Sequence, residues 1–122
     1  MTQEDKELLL KDLCSRLPYG VKLLHTPTNE ITNLEMIGNG VIDGNIHDLI
    51  ENFKPYLFPL SSMTEEQKEE YYHLQERIIY NSKGLVNTDI INYINWCYKN
   101  HIDVNGLIPI GLANDATELN IY

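Results

Sequence analysis

Arginine is nearly missing from this chain: Arg16 and Arg77 are the only two, and Lys and Arg together number 9 against 18 Asp and Glu, for a net charge of −9 over 122 residues. A surface so poor in cations repels a polyphosphate and releases few counterions from it, which argues against nucleic-acid polymers as partners. A small anionic ligand is a lesser demand, because a few local charges suffice and the rest are screened within roughly 8–10 Å at physiological salt. Long apolar runs are also lacking. None approaches the ~20 residues of a membrane span, and the opening Met1-Thr2-Gln3-Glu4-Asp5-Lys6-Glu7 is acidic where a secretion leader would be basic. The expected setting is the cytoplasm, with no membrane partner. Cysteine is scarce as well: Cys14 and Cys97 have no CxxC partner, so both are read as reduced core residues.

What is present is enough for one core. The apolar fraction is 43%, with eight Tyr, two Phe and one Trp, and this length is that of one average domain. The expectation is a single domain over 1–122, with residues 113–122 frayed or forming an interface.

Hydrophobic spacing and turn residues predict an α+β fold, three helices packed on a small antiparallel sheet built around a β-hairpin. Thr2 caps a first helix whose stripe is Leu9, Leu10, Leu13 and Leu17, and Pro18 with Gly20 ends it. Val21 to His25 reads as a strand and Thr26-Pro27-Thr28-Asn29 as a turn. Ile31 to Ile37 reads as a second strand with Thr32, Leu34 and Met36 on one face. Gly38-Asn39-Gly40 marks a hairpin turn or bulge before a short strand at Val41 and Ile42. Ile46 to Phe53 is expected as a short helical turn, and the proline-bracketed Lys54 to Leu60 as a half-buried extended stretch.

The strongest local signal is Thr64 with Gln67, a capping box that starts a helix running to about Tyr80. Tyr71, Leu74 and Ile78 form its inward stripe. Asn81-Ser82-Lys83-Gly84 is expected to stop it. A third helix follows from Asn87 or Thr88 to Asn100, with Ile90, Ile91, Ile94, Cys97 and Tyr98 inward and Trp96 off the stripe. His101 to Leu112 reads as a short strand or an apolar loop over the core.

Catalytic patterns are not found. Gly38-Asn39-Gly40 fails as a dinucleotide loop because the sixth position is Asp43, and no GKS or GKT follows. Asp43, Asn45 and His47 alternate like calcium ligands, but Asp48 stands where glycine is required. The histidines His25, His47, His73 and His101 are scattered, so no metal site and no cofactor are expected. Ser61 and Ser62 lie in no nucleophile elbow, and the glutamate pairs of the second helix read as a solvated face.

Binding is therefore the expected mode. Arg77 is the first candidate for holding an anion and Lys83 the second, since a guanidinium fork suits phosphate. Tyr72, Tyr80 and Trp96 offer flat amphipathic surface for stacking or for an interface, and the amides around Gly38, Asn39 and Gly40 could approach a phosphate closely. The aromatic excess also predicts a homo-oligomer.

Pro59-Leu60-Ser61-Ser62-Met63-Thr64-Glu65-Glu66, the Trp96 helix and His101-Ile102-Asp103-Val104-Asn105-Gly106-Leu107-Ile108 resemble a family of small acidic proteins carried by phages and mobile elements of gut anaerobes. The resemblance spans roughly residues 35 to 112. Its members usually carry an aromatic and an arginine before the Gly-Leu-Ile, where this chain has Val104 and Asn105. It implies a phage-type setting and little chemistry. In that setting the expectation is a non-catalytic accessory protein, most concretely a counter-defence protein that sequesters a nucleotide-derived immune signal. The alternatives are an acidic protein that docks onto a host protein and, third, a small nucleotide hydrolase.

Overall fold

The computed structural model describes residues 1–80 and 87–122. The fold is α+β, with three α-helices and a hairpin-based sheet as expected, although the strands divide between two sheets.

Helix α1 (Gln3–Arg16) begins at a reciprocal cap: Thr2 Oγ1 accepts from Asp5 N at 3.1 Å and Asp5 Oδ2 accepts from Thr2 N at 3.2 Å. Its inward stripe is Leu9, Asp12, Leu13 and Arg16, so two opposite charges share the buried face. Gly20, at φ 71°, reverses the chain, a left-handed geometry that costs glycine least. Cys14 lies on the outer side of α1 and is exposed, against expectation, whereas Cys97 is buried; both are free thiols.

Strand β1 (Lys22–His25) pairs antiparallel with β2 (Glu30–Asn33) and, on its other side, with β6 (Phe53–Leu57). Strand β7 (Asn114–Asp115) joins β6 in parallel and completes the order β2-β1-β6-β7. Pro55 lies one residue outside the stretch that β7 covers, an edge-like place where a missing N–H is tolerated. Phe53, Pro55, Tyr56 and Leu57 are all buried. Of the stretch expected as a half-buried extension, Lys54 to Leu57 thus lie inside a sheet, while Phe58 and Pro59 are half-buried and Leu60 is exposed.

The strand expected over Ile31 to Ile37 is broken. The β1–β2 ladder ends one rung beyond Asn33, where Leu34 N donates to Val21 O at 2.9 Å in the same register, and the chain re-emerges as β3 (Met36–Gly38) in a second sheet with β4 (Val41–Asp43) and β5 (Asp48–Leu49). Thr32 and Leu34 are buried, but Met36 is 62% exposed. Alternation stops where the backbone changes sheets. Asn39 and Gly40 form the β3–β4 turn with φ 51° and 73°, the pair of positive angles a type I′ hairpin demands. Ile46 to Phe53, expected to be helical, holds β5 and only a 3-10 turn at Ile50–Asn52.

Helix α2 (Glu65–Tyr80) starts at the predicted capping box, with Thr64 N donating to Gln67 Oε1 and Gln67 N donating to Thr64 Oγ1, both at 3.1 Å. Helix α3 (Asn87–Lys99) folds back against it. The stop signal at Asn81-Ser82-Lys83-Gly84 lies outside the described residues. From His101 the chain crosses the core as an irregular apolar loop, with Leu107, Leu112 and Ala113 buried. The last ten residues are docked, not frayed. Ala116 N donates to Leu57 O at 2.8 Å, and the Tyr122 hydroxyl donates to Tyr56 O and accepts from Lys22 N.

Two apolar clusters result. The larger joins α1, both sheets and the crossing loop, through residues such as Leu9, Leu23, Phe53 and Leu107. The smaller joins Met63, Cys97 and Ile102 with the rings of Phe58, Tyr71, Tyr93 and Trp96. No helix among the described residues is long and apolar enough to cross a membrane.

Candidate functional site

Three polar or open places stand out, and they lie in different parts of the fold. The first is an open groove of about 330 Å³ against the second sheet, lined by Met36, Ile37, Gly38, Asn39, Val41, Asp43 and His47. Its floor is largely apolar because Met36 and Val41 stand with Gly38 and Asp43 on one face of β3 and β4, while Ile37, paired with buried Ile42, packs toward the core on the other. Its polar rim is anionic: Asp43 stands in the lining, with His47 Nδ1 at 3.3 Å from its Oδ1. Among the described residues, β3 has a strand partner on one side only, which leaves its other edge of N–H and C=O groups open to pairing. A neighbouring groove of about 240 Å³ includes Gly40, Leu10 and Leu49. Its cation, Lys6, is held by Glu51 at 2.6 Å.

The second place is the buried junction of α1 with the chain after α3. Arg16 is fully buried: its Nε donates to Asp12 Oδ1 at 2.6 Å, its Nη2 to Ile102 O at 2.8 Å, and its guanidinium lies 4.9 Å from the centre of the Tyr98 ring. Asn105 Nδ2 donates to Asp12 Oδ2 at 2.8 Å. Asn105 thus adds a neutral donor to the Asp12 carboxylate. Nearby, His101 stacks on Tyr122 at 3.8 Å. Burial, and then the nearby Arg16 and Lys22 charges, push the His101 pKa down to about 4, and burial pushes the Tyr122 hydroxyl up to about 12.

The third place is a chain of hydrogen bonds at the β1–β2 turn. His25 is buried, with Nδ1 at 2.7 Å from Thr28 Oγ1 and Nε2 at 2.7 Å from Asp48 Oδ2. The His25 hydrogen bond, followed by Leu49 N and Asn52, lowers the Asp48 pKa to about 2. The carboxylate is therefore ionised and accepts from Nε2–H, and Nδ1 shares the second hydrogen bond with the Thr28 hydroxyl. Hydroxyl, imidazole and carboxylate stand in relay order. The amide next to Thr28 is already spent, since Asn29 N donates to His25 O at 2.8 Å, and none of the grooves described reaches the hydroxyl. What the chain does do is fasten β1 of one sheet to β5 of the other.

The candidate residues read from the sequence fall into separate groups. Gly38 and Asn39 line the first groove and Gly40 the second. Arg77 and Tyr72 are exposed on α2, remote in the fold order from either groove. Trp96 is not off the packed face: its ring meets Tyr71 at 6.0 Å and its Nε1 donates to Glu70 Oε2 at 2.8 Å. Lys83 lies outside the described residues, and so does the Tyr80 side chain. Among the described residues no three His, Cys, Asp or Glu side chains converge as a metal site would require. Sequence reasoning does not find Met36 and His47 as groove residues, because the pattern only sets Met36 on one strand face with Thr32 and Leu34, and His47 shows only a failed calcium-like run and a place among scattered histidines.

No family model matches the chain, and no curated protein or solved structure matches it either.

Proposed function

We propose that the protein works by binding without turnover, its groove beside β3 taking an extended segment of a partner protein. The carrying observation is the coincidence of an open strand edge with an apolar floor under Met36. An extended peptide adds to such an edge through main-chain hydrogen bonds while alternate side chains enter the groove. Asp43 at the rim, Glu35 lying against Gly44, and the net charge of −9 favour a segment that carries Lys or Arg. In the phage-type setting that the sequence resemblance implies, the partner is a protein of the host.

Sequestration of a nucleotide-derived signal is the second reading. Its support is that Gly38 and Asn39 line the same groove. It ranks lower because the lining holds no Lys or Arg and includes the Asp43 carboxylate, and Arg16 is committed to Asp12.

Fluorescence anisotropy with short labelled peptides tests the first reading. Peptides alternating apolar residues with Lys or Arg bind, acidic peptides of equal apolar content do not, and affinity falls at roughly 1 M salt, where the screening length shrinks to ~3 Å. Met36→Asp and Ile37→Pro each abolish the signal. Equal binding of both peptide sets, or of neither, removes this reading. Heat on calorimetric titration with cyclic dinucleotides or ADP-ribose derivatives would move the second one ahead.

A further inference from the structure

Helices α2 and α3 are antiparallel neighbours: the Tyr71 and Tyr93 hydroxyls lie 3.1 Å apart and Trp96 bonds Glu70, so residue numbers fall along one helix as they rise along the other. With ~100° of rotation per residue, Lys68, Tyr72 and Glu76 lie about 60°, 100° and 140° round α2 from the contact residue Tyr71. Ile94 and Ile91 lie about 100° and 160° round α3 from Tyr93 in the same sense. In an antiparallel pair the same sense of rotation leads to the same side of the hairpin. Tyr72, Ile91 and Ile94 therefore share one face, and they are 57%, 53% and 38% exposed.

That face is complementary to itself. Lys68 and Glu76 are each four residues from Tyr72, about 6 Å to either side along the axis. A two-fold axis crossing α2 at Tyr72 places each Lys68 opposite the Glu76 of a second copy and the two Tyr72 rings against each other. The same axis meets α3 at the level of Asn92 and Tyr93, because Tyr93 stands beside Tyr71. Ile91 then falls opposite the second copy's Ile94, and Ile94 opposite its Ile91. One operator satisfies a charge pair, an aromatic pair and an aliphatic pair.

We propose that this face of the α2–α3 hairpin is an interface between two copies of the chain, related by a two-fold axis through Tyr72. The exposed apolar side chains, with Ile79, amount to roughly 400 Å² per copy, about half of the ~800 Å² per partner in a standard interface, and the Lys68 and Glu76 stems extend it. Lys68 is only loosely held within its own chain, 3.3 Å from the exposed Glu65, so it is free to exchange partners.

Sedimentation equilibrium from micromolar to sub-millimolar protein tests this. The unaltered chain dimerises, and Tyr72→Asp leaves a monomer of unchanged helicity. Lys68→Glu and Glu76→Lys each set like charges opposite one another twice and weaken association about tenfold or more. An equimolar mixture of those two variants recovers the original affinity, since one copy then carries two acids and the other two lysines. A monomer at every concentration overturns the proposal, as do charge variants that dimerise unchanged or a mixture that stays monomeric. These substitutions leave the β3 groove untouched, so the peptide assay and this one fail independently.

Discussion

The core under α1 and the α2–α3 hairpin treat their polar and apolar groups differently. Under α1, even charges are enclosed. Asp12 and Arg16 have no exposed side-chain surface; Asp12 also accepts from Asn105, and Arg16 donates to Ile102 O and lies against the Tyr98 ring, with its Nη1 left unpaired. On the hairpin the buried contacts are few, while Tyr72, Ile79, Ile91 and Ile94 remain on the surface among glutamates. A sealed core with a paired ion needs each partner to keep the other compensated. A helical pair whose outer stripe stays apolar stores its remaining hydrophobic free energy for something that covers it. The difference separates what holds the fold from what is available for binding.

The comparison is broken most severely at Arg16. Arg16→Met leaves Asp12 charged, buried and without its ion partner, and should cost about 3–5 kcal/mol in urea denaturation. Adding Asp12→Leu to that variant should restore most of the loss. If the single variant is nearly neutral, the pair is not the keystone of this half.

Acid titration comes next in size. The depressed His101 pKa means the unfolded chain binds a proton near 6.5 that the folded chain refuses until about 4, so stability falls as pH drops across that window. The expected loss is on the order of 2 kcal/mol after allowance for partial exposure. His101→Phe keeps a ring on Tyr122 and should flatten the slope. Asp48, held at about 2, contributes stability above its ordinary carboxylate range that is lost below it, so Asp48→Asn should flatten only the stretch from about pH 4 to 2. A slope unchanged in both variants would assign acid sensitivity elsewhere.

The smallest effect belongs to the hairpin. Thr64→Ala removes the side-chain cap of α2 and should cost about 1 kcal/mol, read most clearly as faster amide exchange in α2 than in α1. Equal acceleration in both helices would show that the two regions unfold as one unit.

Local patterns were legible where they depend on neighbours in sequence. The Thr64 and Gln67 cap, the Thr2 start, the Pro18 and Gly20 stop and the Asn39-Gly40 turn were all readable because caps and turns are fixed by a few adjacent residues. The break after Leu34 was not, since it depends on β3 finding its partner β4 in a second sheet. Helix α3 shows the same limit: its apolar run contained two stripes, and Tyr93 with Trp96 took the inner place that Ile91 and Ile94 had been assigned. Of the candidate site, Gly38 and Asn39 were found from their turn chemistry, while Met36 and His47 became visible only once three short strands had been aligned.

By itself the sequence determined the fold class, the main helix starts and the acidic character, because composition and i-to-i+4 spacing act within a few residues of chain. Tertiary structure alone decided that Arg16 is buried and Arg77 exposed, that the last residues lie against β6, and that one face of the hairpin is left uncovered. Those outcomes depend on which distant groups compete for the same interior volume and the same hydrogen bonds, and that competition is resolved only when the chain is packed.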